Sequence, residues 1–191
     1  ALEHGMPPIS RALYEPDDTA LDTLQRLLTR LEGAEVPPET AAAIRALVAL
    51  PREEQRRQAS AVLKDALPEA EIARRALLLA GLQVHFARVA SLLEAAALKP
   101  VANGACPACG SVPVSSSVVG WPKAQNTRFC TCSLCGTMWN AMRVTCLICG
   151  SPDGVSFRSI EGKPDTVKAE TCEKCRGYVK ILYQVKEPAL E

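Results

Sequence analysis

Nine cysteines lie at positions 106, 109, 130, 132, 135, 146, 149, 172 and 175, and none falls among the first 105 residues. Eight of them form four Cys-x-x-Cys pairs: Cys106/Cys109, Cys132/Cys135, Cys146/Cys149 and Cys172/Cys175. Twenty-two residues separate Cys109 from Cys132, and 22 separate Cys149 from Cys172. Adding 40 to any of the first four positions gives one of the last four. Gly110-Ser111 matches Gly150-Ser151 in this register, Thr131 matches Thr171 and Lys123 matches Lys163. Only 9 of 40 positions agree between residues 106–145 and 146–185, so spacing rather than identity carries the signature of a tandem duplication.

Each copy reads C-x2-C-x22-C-x2-C, the spacing of a four-cysteine metal ribbon. A Cys-x-x-Cys turn places two sulfurs on one side, and the residues between the pairs supply strands that return the second turn to face the first. Gly110, Gly136 and Gly150 follow three of the four second cysteines, where positive φ lets the turn tighten and aim N–H groups at sulfur. Arg176 precedes Gly177 at the fourth, so that turn is expected to differ. The favoured assignment puts Cys106, Cys109, Cys132 and Cys135 in one site and Cys146, Cys149, Cys172 and Cys175 in another. Exchange of pairs between repeats is the alternative. Four thiolates suit zinc or a single iron equally, and spacing does not choose between them. Cys130 stands outside the repeat, its counterpart being Glu170, and reads as a buried or idle thiol rather than a ligand through Cys130-x-Cys132.

Other uses of the cysteines fit less well. A redox dithiol needs one activated thiol at a strand-to-helix turn, not four copies in a duplicated ribbon. A disulfide scaffold suits a shorter secreted chain, and no basic-then-apolar leader is visible. A closed four-thiolate site leaves no open position for catalysis. The only histidines are His4 and His85, and no Ser/His/Asp set or phosphate loop stands out, so no enzyme is expected. His85 reads as a packing or surface residue. Residues 101–191 carry 10 Lys and Arg against 7 Asp and Glu, and two divalent ions on eight thiolates would bring that net charge to about −1. Phosphate binding is poorly served by such a balance. A patch at Lys174, Arg176 and Lys180 reads as an ordinary solvated face.

Composition changes abruptly at Lys99-Pro100. The 191-residue chain is 48% hydrophobic but only 4% aromatic, so a core is affordable and must be mostly Leu, Ala and Val. Asp17 or Asp18 caps a predicted helix to Glu32, with Leu21, Leu24, Leu27, Leu28 and Leu31 on one face and Gly33 ending it. Pro38 starts a second helix through Ala49, Pro51 a third over Arg52–Ala66, and Pro68 the longest over Glu69–Leu98. Ile72, Leu79, Phe86 and Leu93, with Ala76, Leu82, Val89 and Ala96 beside them, mark the buried stripe of that last helix, and Gly81 within it implies close packing. Residues 1–16 read as irregular. The longest apolar run, Ala76 to Leu82, is too short to span a bilayer. Beyond Pro100, Val112–Val119, Met138–Val144 and Tyr178–Val185 read as strands, and apolar side chains alone would give this half a thin core.

The cysteine-rich half resembles the formate dehydrogenase accessory protein family, FdhE. Cys106-Pro-Ala-Cys109-Gly-Ser with Pro113-Val-Ser-Ser, Cys132-Ser-Leu-Cys135-x-Thr137-x-Trp139 and Arg143-Val144-x-Cys146-x-x-Cys149 carry the resemblance. Lys168-Ala-Glu170-Thr-Cys172-x-x-Cys175 and Tyr178-Val-Lys180-Ile-Leu-Tyr-Gln complete it, over about residues 104–187. The resemblance implies an α+β chain: a helical bundle over 1–100, then two tandem rubredoxin-like/zinc-ribbon modules over 101–145 and 146–191. It implies a cytoplasmic, non-enzymatic maturation factor that binds the catalytic subunit of a molybdenum- or tungsten-dependent formate dehydrogenase before export. It moves the preferred metal from zinc toward iron. A rubredoxin-like one-electron carrier and a zinc-ribbon nucleic-acid module are the rival readings. Asn140 follows Trp139 where the family often has His, so no role of that His is carried over. Start at Ala1 and stop at Glu191 suggest a fragment of a longer family member. Trp139 and Tyr178 are each read as core residues ahead of partner contacts.

Overall fold

The computed structural model describes residues 5–68, 71–101, 104–162 and 164–190. His4, the predicted helix start at Glu69, and Lys163 of the repeat register lie outside them. The chain divides into two compact units, Ile9–Leu93 and Ala1–Pro8 together with Glu94–Glu191.

Four helices build the first unit: α1 Asp18–Glu32, α2 Pro38–Val48, α3 Arg52–Leu63 and α4 Ile72–Ala90. Residues 5–16 form turns without helix or strand. Asp17 caps α1, its carboxylate accepting from the Ala20 N–H, and the Gly33 N–H closes the far end on the Leu31 carbonyl. Pro38 occupies the first turn of α2, where its missing N–H leaves no bond unmade. Helix α4 packs against each of the other three. Leu21, Leu24 and Leu28 of α1, Ile44 and Leu47 of α2, Val62 and Leu63 of α3, and Leu78 and Phe86 of α4 are sealed between them.

The predicted fourth helix was too long, and of its expected stripe only Leu82 and Phe86 are fully buried. It ends at Ala90 because the last turn tightens: Leu92 and Leu93 N–H groups reach back three residues, and the Ser91 hydroxyl donates to the Arg88 carbonyl. A short 3-10 turn follows at Ala95–Ala97. The buried face is Leu77, Leu78, Gly81, Leu82, His85 and Phe86, whereas Ile72 is 74% exposed. Gly81 does mark close packing. A Cβ placed there would lie 3.1 Å from Leu24 Cα and 2.8 Å from its Cδ1.

One six-stranded sheet forms the second unit, from β1 Pro113–Val119, β2 Thr127–Cys132, β3 Met138–Asn140, β4 Val155–Ser159, β5 Val167–Cys172 and β6 Tyr178–Leu182. Its order is β3-β2-β1-β6-β5-β4. Each repeat is an antiparallel meander, and the 40-residue shift maps β2 onto β5 residue for residue. The repeats join through parallel pairing of β1 with β6, where Ser115, Ser116 and Ser117 face Lys180, Ile181 and Leu182. The first strand of one repeat therefore meets the third of the other, head to tail.

The strands at β2, β4 and β5 had no sequence prediction, and Met138–Val144 and Tyr178–Val185 shorten to β3 and β6. Cys130, Leu147 and Val179 form one core cluster of the sheet, with Trp139 and Ala141 packed against them, and Val118, Val119, Leu134, Ile181 and Leu182 are buried as well. Tyr178 is not core. It is 70% exposed on β6, because Val179 and Ile181 take the inward positions of an alternating strand. Beside this cluster lies a buried ion pair, Arg128 Nη1 2.7 Å from Glu170 Oε2, with both side chains almost fully enclosed. Arg128 also donates through Nε and Nη2 to the Ser116 hydroxyl at 3.1 and 2.9 Å.

Candidate metal centres

Each repeat sends its four thiols to one point. Cys106 and Cys109 sit on the turn preceding β1, Cys132 ends β2, and Cys135 lies in the turn to β3. The second repeat does the same with Cys146 and Cys149 before β4, Cys172 at the end of β5 and Cys175 before β6. The sulfurs of each set all lie within 4.8 Å of one another. Nearest separations are 3.6 Å for Cys106–Cys135 and 3.4 Å for Cys109–Cys132, then 3.7 Å for Cys146–Cys175 and 3.8 Å for Cys149–Cys172. A tetrahedral ion with metal–sulfur bonds of about 2.3 Å sets its sulfurs about 3.8 Å apart. A disulfide needs about 2.05 Å, and all nine cysteines are free thiols. The grouping is within repeats, not exchanged between them.

The local backbone explains the shape. Cys106, Cys132, Cys146 and Cys172 N–H groups each bond the carbonyl five residues on, at 2.8–3.1 Å, closing four equivalent knuckles. Gly110, Gly136 and Gly150 hold φ of 78°, 70° and 73° in three of them, and Arg176 adopts φ 55° in the fourth. The expected difference at the fourth turn is thus one of residue type, with the same left-handed conformation forced on an arginine. Leu134 and Cys135 N–H groups point at Cys132 Sγ, at 3.3 and 3.4 Å. N–H groups of Ile148 and Cys149 face Cys146, and those of Cys175 and Lys174 face Cys172.

Such donors favour thiolate over thiol. The Cys175 and Lys174 N–H groups draw Cys172 down to about 7. Bonds from Cys106 and then Cys109 draw Cys132 to about 7, and the same partners hold Cys135 below the ordinary thiol range. Cys106 is pushed the other way, chiefly by its bond to Cys109. Four sulfurs this close cannot all shed their protons against one another without a cation between them. The buried Ser111 hydroxyl lies against Cys109, where it can donate to a thiolate, and has no other hydrogen-bond partner among the described residues. The donor set fits a soft or borderline divalent ion in both places, and such an ion would supply cross-linking rather than an open coordination position.

The remaining sequence candidates fall elsewhere. Cys130 is buried in the sheet's core, where desolvation lifts it to about 11, and it belongs to neither cluster. His85 is 3% exposed in the helical unit, its Nε2 2.7 Å from the Tyr14 hydroxyl. Lys174 is paired with Asp153 at 3.4 Å. The buried Arg128–Glu170 pair was not anticipated, although the mismatch of Cys130 with Glu170 in the repeat register marked its position.

A helical unit followed by two tandem four-thiol ribbons in a single sheet defines the class: a paired rubredoxin-like/zinc-ribbon protein. Family models described as FdhE N-terminal, FdhE central domain and FdhE C-terminal domain match residues 1–103, 105–143 and 144–191. An FdhE homolog of Rhizobium meliloti is 37% identical over 193 residues, covering 100% of this chain and 63% of its own length. One from Cronobacter sakazakii is 34% identical over 194 residues, covering 100% and 62%. The crystal structure of the FdhE protein from Pseudomonas aeruginosa superposes with a TM-score of 0.84 at 29% identity, covering 100% of this chain and 67% of that one. The chain belongs to the FdhE family. It spans under two thirds of the length of these curated relatives. No helix among the described residues is long and apolar enough to cross a membrane.

Proposed function

We propose that this chain is a non-enzymatic accessory factor for formate dehydrogenase maturation, with one metal ion held by each four-cysteine cluster. In this reading Cys106, Cys109, Cys132 and Cys135 ligate the first ion, and Cys146, Cys149, Cys172 and Cys175 the second. The supporting observation is the pair of sulfur cages already at tetrahedral spacing, within a chain that family models cover almost end to end. Iron is the preferred ion by family resemblance, and zinc the alternative. The partner is the catalytic subunit of a molybdenum- or tungsten-dependent formate dehydrogenase, engaged in the cytoplasm before export. The ions' part is mechanical: they brace the knuckles so that the sheet presents a fixed surface.

Affinity capture with the tagged chain, without oxygen and with iron and zinc both supplied, should retain the dehydrogenase catalytic subunit. Metal analysis of the same sample should give two ions per chain. Failure to retain that subunit, with both ions bound, would remove the accessory reading while leaving the metal assignment standing.

A further inference from the structure

Two clusters with identical ligand spacing sit in different surroundings. In the first, all four cysteines are buried, none more than 3% exposed. In the second, Cys146 and Cys172 are buried, Cys175 is half-buried and Cys149 is exposed. Position for position, hydroxyl support differs as well. Thr137 Oγ1 lies 3.1 Å from Cys135 Sγ. Its counterpart under the 40-residue shift is Gly177, which has no side chain, and a Cβ there would meet Ile148 Cδ1 at 2.5 Å. Ser111 lies buried against Cys109. Its counterpart Ser151 turns away, donating to the Asp153 carbonyl and accepting from the Asp153 N–H, both at 3.1 Å.

Each difference acts in the same direction. Hydrogen bonds to a coordinated thiolate hold its charge and orientation, and losing one such partner typically changes metal affinity about 10- to 100-fold. Dissociation from a four-thiolate site begins when one sulfur swings off and an incoming ligand takes its place. That step needs a ligand at the surface, and Cys149 is the exposed one.

We propose that the second cluster is an exchangeable site for a thiophilic divalent cation, opened at Cys149, while the first releases its ion far more slowly. The proposal rests on the reading that both clusters bind metal. Order in the β4–β6 half then follows metal supply, and the β1–β3 half does not.

The test uses the full chain loaded with two equivalents of Zn²⁺ under reducing, anaerobic conditions. Excess EDTA is added, released zinc is followed with a chromogenic dye, and aliquots are quenched with iodoacetamide for peptide mass spectrometry. One equivalent should leave at least about tenfold faster than the other. Early alkylation should fall on Cys146, Cys149, Cys172 and Cys175, and spare Cys106, Cys109, Cys132 and Cys135. Thr137→Val, which keeps the shape and deletes the hydroxyl, should speed release of the slow equivalent several-fold. A single release phase, or early labelling at the first cluster, overturns the proposal. A load below two zinc ions per chain instead overturns the metal reading beneath it.

Discussion

A missing methyl group sets the distance between α1 and α4. Gly81→Ala would gain about 1 kcal/mol of helix propensity, but its Cβ would press on Leu24 Cα at 3.1 Å, and backbone cannot step aside as a rotamer can. Overpacking typically costs about 1–3 kcal/mol, so the net effect should be destabilising, read as a lower urea midpoint of the helical unit. Arg176→Gly should act the other way. Relieving the left-handed arginine returns about 1 kcal/mol, less what glycine adds to the freedom of the unfolded chain. A modestly higher melting temperature of the second module is the expected readout. His85 supplies a pH dependence. Burial holds its imidazole below the ordinary value of 6.5, against the pull of Asp17. The unfolded chain therefore takes up a proton as pH drops through about 6.5 while the folded chain does not. Stability is whole above that pH and declines below it, so the urea midpoint should fall from pH 7.5 to 5. His85→Gln should flatten the decline.

At the scale of elements, the Arg128–Glu170 pair ties β2 of the first repeat to β5 of the second. Removing one partner strands a buried charge, so Glu170→Gln should cost about 3–5 kcal/mol, and Arg128→Met with Glu170→Leu should recover most of it. Chemical denaturation of the two singles and the double would give the coupling. The same elements separate what the sequence pattern displays from what it hides. The helices were legible from capping Asp17, the opening prolines and leucine spacing. The eight thiols and their grouping within repeats were legible from spacing alone. Strands β2 and β5 were not, because they carry Arg128, Cys130, Lys168 and Glu170 where a strand core usually shows Val and Ile, and β4 was not, because Ser156, Arg158 and Ser159 interrupt its apolar pattern. A buried ion pair and a buried thiol stand there among the aliphatic side chains. The repeat register held the missing information only in part: it ties β5 to β2 but locates neither. Helix α4 misled in another way. Its apolar sequence runs on past Ala90 into residues that the tightened last turn leaves exposed, such as Leu92 at 82%.

Over the whole molecule, the two units differ in how much aliphatic side chain they bury. The helical unit has a sealed aliphatic core, and the sheet has a small one. Structural thiolate sites contribute on the order of 10 kcal/mol each in zinc peptides. Stripping metal with chelator and reductant at neutral pH should therefore abolish the sheet and leave helical circular dichroism largely intact, with two thermal transitions in the loaded protein reduced to one. Cys132→Ser should unfold its module for the same reason. The head-to-tail junction of the ribbons carries a further consequence. Had the halves met around a twofold axis, every duplicated position would see the same environment twice and could have stayed the same amino acid. Stacked by translation, β6 is covered by β1 while its twin β3 ends the sheet, so each pair of twins faces unlike demands. The arrangement thus leaves the two copies free to diverge, and four of the nine positions they still share are cysteines.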